Sequence, residues 1–258
     1  MQDLPPSAPT RVVITGASGI AAATALRLAR LGRRVFVVSL DPGECAELAT
    51  ALGASCAGYC VADLRSEEAA VHAFESADAA LGSIDGLVAV AGGSARKAGD
   101  GWLHDLSLDG WDAAIGLNLT TAFLATREAV RRMRQHGGSI VLTGSVLATA
   151  PQPEHFATHG YAAAKAAIAG WVTTLAAAYA TDHIRINCVA PGLVATRGAR
   201  RAAQSPAIRA FVERKQPLTG GMLDADDVAH VAVWLLDAPG TTGQVVRVDG
   251  GWSVTSSS

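Results

Sequence analysis

The chain has 258 residues, 50% of them hydrophobic and 17% charged, enough apolar material for a sizeable core in a single α/β domain. A net charge of −2 and a pI near 6.4, with no basic stripe carrying interleaved aromatics, exclude the electrostatic footprint of a nucleic-acid binder. Residues 1–9 hold three prolines and neither a basic run nor an apolar core, so a disordered tail is expected there rather than a signal peptide or membrane anchor.

From Arg11 onward short β-branched runs alternate with helical ones: a strand over 12–15, a helix over 21–31, a strand over 35–39, then a helix that includes 44–52. Further strands are expected at 87–90, 140–143 and 184–189, the last following an alanine-rich helix over 162–179. These strands read apolar throughout instead of alternating, as strands buried on both faces of a parallel sheet do. The expected fold class is therefore α/β, a doubly wound (Rossmann) parallel sheet with helices on both faces, in one domain over 10–258. No linker or repeat beyond the βα unit divides it.

The first strand runs through Thr15-Gly16-Ala17-Ser18-Gly19-Ile20 straight into a helix, the context in which backbone N–H groups meet a pyrophosphate. Ser39, at the end of the second strand, occupies the position that discriminates a ribose 2′-hydroxyl from a 2′-phosphate, and Asp41 lies two residues late for that role. No arginine or lysine follows Ser39 or sits at Ser18, so NAD is favoured, with NADP the alternative. Asp63 can accept from an adenine amino group or, equally well on local grounds, cap the helix that follows.

Tyr161 and Lys165 stand four residues apart, on one helical face. A charge roughly 4 Å from a forming phenolate at a dielectric near 20 is worth about 4 kcal/mol, or about three pKa units, enough to bring a tyrosine towards neutrality. The pair reads as an acid/base catalyst. Cys45, Cys56, Cys60 and Cys188 form no zinc-ligand arrangement and read as reduced thiols of a cytoplasmic protein. His155 and His159 also lie four apart, but Pro151 and Pro153 make their segment a loop without a third ligand, so no metal site is expected.

The glycine turn, Asn118, Ser145, Tyr161-x-x-x-Lys165, Pro191-Gly192 and the ending Thr242-Gly243-Gln244…Val248-Asp249-Gly250-Gly251 occur in one order over about residues 10 to 252. Together they resemble the compact, single-domain branch of the short-chain dehydrogenase/reductase family. The resemblance implies an oxidoreductase that interconverts a secondary alcohol and a ketone by hydride transfer with a nicotinamide cofactor. Tyr161 would be the general acid/base, Lys165 would hold the nicotinamide ribose and acidify the tyrosine, and Ser145 would orient the reacting oxygen. Asn118 would anchor a water on a proton path. The cofactor would touch Gly16, Ser18, Gly19, Ile20, Ser39, Asp63, Leu64, Ala91, Gly92, Pro191, Gly192, Val194 and Thr196, with a substrate lid over 197–222.

By the same resemblance, the alanine-rich helix and the apolar end containing Trp252 would form interfaces of a homotetramer. Arg96, Lys97, Arg197, Arg200, Arg201 and Arg209 crowd the substrate side, where an arginine run is ordinarily a solvated face. Three departures from the family pattern stand out. The glycine turn is one residue short and has Ala21 or Ala22 for its third glycine, Ala89-Val90 replaces an Asn-Asn pair before Ala91-Gly92, and the loop between Ser145 and Tyr161 is long. They leave an alternative function, a catalytically silent dinucleotide-binding sensor or regulator of the same fold.

Overall fold

The structure, a computed structural model, describes residues 8–256. Among these, β1 (Arg11–Thr15), β2 (Arg34–Ser39), β3 (Cys56–Val61), β4 (Gly86–Ala89), β5 (Gly138–Thr143), β6 (Ile184–Pro191) and β7 (Val245–Val248) form one parallel sheet in the order β3-β2-β1-β4-β5-β6-β7. The helices are α1 (Ile20–Arg30), α2 (Pro42–Leu52), α3 (Glu67–Leu81), α4 (Leu108–Ile115), α5 (Thr121–Met133), α6 (Pro153–Phe156), α7 (His159–Tyr179), α8 (Arg200–Gln204), α9 (Pro206–Lys215) and α10 (Ala225–Asp237).

The sheet divides two apolar cores, as the continuous hydrophobic runs require. Phe74, Leu87, Ile140, Ile168 and Ile186 lie on one side, Ile14, Leu28, Val141, Val228 and Leu236 on the other. Strand order reverses where β1 pairs with β4, Thr15 beside Ala89, and the crevice at their carboxyl ends is the place where doubly wound sheets bind ligands.

The differences from the expected elements have local causes. Val90 leaves the fourth strand because its N–H donates to the Thr15 hydroxyl (3.1 Å) instead of to a neighbouring strand. Asp41 starts α2 as its N-cap, accepting from the Glu44 N–H at 3.0 Å, so it is occupied two residues beyond the ribose position. Capping of α3 falls to Ser66, not to Asp63. Of the expected tail, residues 1–7 lie outside the described residues, and Pro9 is buried beside Gly86.

A third, smaller core closes the lid side, where Val146, Ile208, Phe211 and Val212 surround Trp252. Trp252 is only 1% exposed and its indole N–H donates to the Ala150 carbonyl at 3.0 Å. The Trp252 ring itself is therefore part of the chain's own core: a large apolar ring whose single donor finds a partner within the chain is most stable inside it.

Candidate active site

Tyr161 is the third residue of α7 and Lys165 follows one turn on, so both point from the same face towards the end of β5. The start of the helix is held by Asp100, a buried residue of the segment after β4 whose two oxygens accept from the Gly160 and Tyr161 N–H groups, each at 2.9 Å. A buried carboxylate at a helix N-terminus satisfies two otherwise orphaned donors and opposes the helix dipole. Sequence reasoning missed Asp100, since it lies some 60 residues before its partners and no local pattern marks it.

The Lys165 ammonium, 4% exposed as a residue, donates to the Thr143 carbonyl at 2.8 Å and lies 5.7 Å from the Tyr161 ring centroid. Burial lowers its pKa to about 8. Tyr161 is itself raised above its ordinary value by burial, with the Ser145 hydroxyl lowering it by hydrogen bonding. The expected acidification of Tyr161 by Lys165 is thus absent here. Desolvation disfavours both charged forms, and the ammonium is directed at a backbone oxygen instead of the phenol. Ser145, buried just past β5, also accepts from the Leu147 N–H at 3.2 Å.

Asn118 sits in a π-helical turn (116–120) joining α4 to α5, fully buried. Its side chain bridges the strand-4 loop, accepting from the Gly93 N–H (2.9 Å) and donating to the carbonyls of Gly93 (3.0 Å) and Ala114 (3.0 Å). Both amide N–H donors and one lone pair of the oxygen are thereby engaged in bracing. Gly92 passes so close that a Cβ there would lie 2.7 Å from Asn118 Oδ1 and 3.5 Å from Lys165 Nζ, at φ +151°. Thr15 shares the bracing that the absent Asn-Asn amides would have supplied, accepting from the N–H groups of Val90 and Ala91 (3.1 and 3.0 Å).

A cavity of about 230 Å³ at the crevice is lined by Gly16, Ser18, Ser39, Asp63, Leu64, Ala91 and Gly92, bringing together seven expected cofactor positions. The Arg65 guanidinium grips both Asp63 oxygens at 2.6–3.0 Å and holds that carboxyl below its usual range. Gly19 and Thr196 line an adjoining cavity of about 520 Å³ between α1, α2 and the lid. Ile20, Pro191, Gly192 and Val194 line neither.

The fit to a dinucleotide rests on the turn. No side chain caps α1, and of its first-turn amides the Ala21 N–H donates to the Ser18 carbonyl (3.2 Å) while those of Ile20 and Ala22 face no capping side chain; Gly16 and Gly19 take φ +95° and +55°. Ala21, replacing the third glycine, turns its methyl into the core against Gly16, where a Cβ would meet it at 3.2 Å. The shortened turn brings Gly19 so near Thr196 that a Cβ would lie 2.8 Å from its methyl.

Gln216, buried and missed in the sequence, fixes the Pro191-Gly192 turn. Its Oε1 accepts from the Leu193 N–H (2.6 Å), while Nε2 donates to the carbonyls of Leu193 (3.1 Å) and Gly221 (2.7 Å). The Val194 carbonyl accepts from the Thr196 N–H at 2.8 Å. The expected lid is helical (α8 and α9), and the Arg197–Glu44 ion pair at 2.7 Å ties its start to α2. His155 and His159 serve no common site: the first packs on Phe211, with ring centroids 4.6 Å apart, and the second on Trp102, 6.2 Å away.

A family model described as enoyl-(acyl carrier protein) reductase matches residues 14–253. Over 248 residues the chain is 35% identical to cis-4-hydroxycyclohexanecarboxylate dehydrogenase of Sinomonas cyclohexanicum, covering 93% of this chain and 95% of that one. The chain belongs to the short-chain dehydrogenase/reductase family. Its fold is similar to that of a short-chain type dehydrogenase/reductase from Mycobacterium ulcerans (TM-score 0.87, 27% identity, 95% and 90% coverage). It also resembles 3-ketoacyl-(acyl-carrier-protein) reductase from Brucella melitensis in complex with NADH (TM-score 0.83, 25% identity, 94% and 98% coverage). As a family member the protein is an oxidoreductase that moves hydride between a nicotinamide cofactor and a secondary alcohol or ketone. The silent-sensor alternative finds no support in these likenesses.

Proposed function

We propose that Tyr161 is the general acid/base of this hydride transfer, with Ser145, Lys165 and Asn118 as its supporting groups. The observation that carries the reading is the convergence of the Tyr161 phenol and the Ser145 hydroxyl beside the buried Lys165. Bound nicotinamide supplies the hydride donor or acceptor. Tyr161 gives its proton to the carbonyl oxygen, or takes one from the alcohol, and Ser145 donates a hydrogen bond to that oxygen as charge develops on it. Lys165 keeps an ammonium at the foot of the site, and Asn118 holds the loop carrying Gly92 at the distance the cofactor needs. Tyr161→Phe should lower turnover on a panel of secondary alcohols and ketones by at least about a hundredfold while cofactor affinity persists. Undiminished turnover would refute the assignment.

The cofactor is NAD rather than NADP in this reading. Glu44 and Asp63 line the 230 Å³ cavity and no lysine or arginine does, and the nearby Arg65 and Arg197 are already paired with Asp63 and Glu44, which leaves no free cation at the lining for a 2′-phosphate. Parallel titrations with NADH and NADPH test this, and a tenfold preference for NADPH would overturn it. The protein is further proposed to work in the cytoplasm, where its four free thiols stay reduced, as a homotetramer. The small exposed residues Ala166, Ala167 and Gly170 on α7, beside the Phe123–Trp171 ring pair, support a close helix-to-helix interface. A monomer by light scattering at micromolar concentration would contradict this. Among the described residues no helix is long and apolar enough to cross a membrane.

A further inference from the structure

Arg96, in the segment after β4, and Arg201, in α8, come from separate elements and meet at one atom. Arg96 lies four residues beyond Gly92, so its Cα is at most about 14 Å from the glycine that abuts Asn118 and Lys165. Arg201 belongs to α8, in the lid. Nη2 of Arg201 donates to the His155 carbonyl at 2.7 Å, and Nη2 of Arg96 reaches the same oxygen at 3.5 Å. His155 lies in α6, which Pro153 starts where a loop was expected, within the long segment between Ser145 and Tyr161, so the two guanidinium groups converge on the segment joining the two hydroxyls.

One carbonyl does not balance two full positive charges. The lid's other anchoring arginine, Arg197, has Glu44, and Arg27 and Arg33 at the back of the sheet have Asp226 and Asp237. Neither Arg96 nor Arg201 has an ion-pair partner among the described residues. The carboxylate whose field reaches Arg96 is Asp100, and its oxygens already accept from Gly160 and Tyr161. Arg96 is only partly exposed, and both desolvation and the charge of Arg201 disfavour its protonated form, as expected of a cation lacking an anion. Arg201 is held in place by the Phe156 ring, 5.9 Å from its guanidinium carbon, and that ring belongs to the aromatic wall made with His155, Phe211 and Trp252.

We propose that Arg96 and Arg201 form an anion subsite that selects alcohol and ketone substrates bearing a carboxylate away from the reacting carbon. The inference rests on the hydride-transfer reading of this cleft. Guanidinium groups match a carboxylate through paired N–H donors, and two of them on different elements hold it in one orientation, which sets which carbon faces Tyr161. The departure of the long loop from the family pattern then has a role, since it carries the carbonyl that holds both arginines until an anion arrives.

Calorimetric titration tests this on the full chain saturated with NADH and, in parallel, with NADPH. Butyrate, hexanoate and cyclohexanecarboxylate are each compared with their own carboxamide. At least one acid should bind tenfold or more tightly than its amide. That ratio should fall towards one in both Arg96→Gln and Arg201→Gln, and Arg201→Lys should retain part of it. No acid exceeding its amide in the unmodified protein, or a ratio that survives both glutamine substitutions, overturns the proposal. Tyr161→Phe should keep the ratio, so unchanged turnover in that variant counts against the acid/base assignment and leaves the subsite standing.

Discussion

Replacing Lys165 with methionine should stabilise the cofactor-free protein near neutral pH while abolishing its activity. An exposed lysine titrates at 10.5, and burial brings Lys165 to about 8. That gap corresponds to about 3 kcal/mol of preference for the neutral form in the folded state. A group 4% exposed has almost no solvent to screen this cost. The unfolded chain binds the proton more tightly, so below pH 8 folding carries the full penalty. As pH rises from 8 to 10.5 the folded state has already lost the proton while the unfolded chain is still losing its own, and the penalty disappears.

Lys165→Met removes that penalty at the cost of the hydrogen bond to the Thr143 carbonyl (2.8 Å), about 1–2 kcal/mol with the acceptor left buried. The variant should therefore be more stable than its parent by about 1–2 kcal/mol at pH 7. The advantage should shrink by about 3 kcal/mol towards pH 10.5 and change sign. Urea midpoints of both proteins at pH 7, 8, 9 and 10 measure the difference directly, and other titrating groups largely cancel in it. A difference independent of pH, or one that grows with pH, would refute the claim that burial holds this ammonium at neutral pH against its own solvation.

Asp100→Ala should lower stability by about 2–3 kcal/mol and reduce kcat more than cofactor affinity, because the two N–H groups it caps belong to Gly160 and to Tyr161 itself; Asp100→Asn should restore part of both. Urea unfolding together with steady-state kinetics reads this out, and unaffected kcat in a folded Asp100→Ala protein would show that the cap does not position the phenol. Gly92→Ala meets both a φ of +151° and the 2.7 Å approach to Asn118 Oδ1. It should cost about 1–3 kcal/mol from the backbone alone and weaken dinucleotide binding at least tenfold, measured by NADH fluorescence. Retained affinity would mean that the Asn118 bridge to Gly93 can yield.

Much of this architecture could be read residue by residue. The apolar runs at 12–14 and 35–38 identified β1 and β2 because strands buried on both faces carry apolar side chains at successive positions, while β6 was legible from its Ile and Val despite Arg185 and Asn187 within it. The helical phase of Tyr161 and Lys165 needed only their spacing. Asn118 was singled out only through the family resemblance, and nothing local announced the π turn that places its side chain inside. By contrast, Thr15, Asp100 and Gln216 look like ordinary polar residues, and partners of theirs lie 75, 60 and 23 residues away. The apolar end containing Trp252 was read only as a subunit interface, and the long-range bond of its indole to Ala150 shows that this ring lies in the chain's own core.

What the amino-acid order determined by itself is whatever is written in neighbours along the chain: the βα alternation, the glycine turn and the one-turn spacing of Tyr161 and Lys165. Only tertiary structure decided which direction the tyrosine and lysine titrate, which carboxylate caps their helix and which two of the cleft's arginines meet. The reason is physical. Periodicity is a property of neighbours along the chain, whereas desolvation and convergence of charge are collective, set by every element that packs around a group at once.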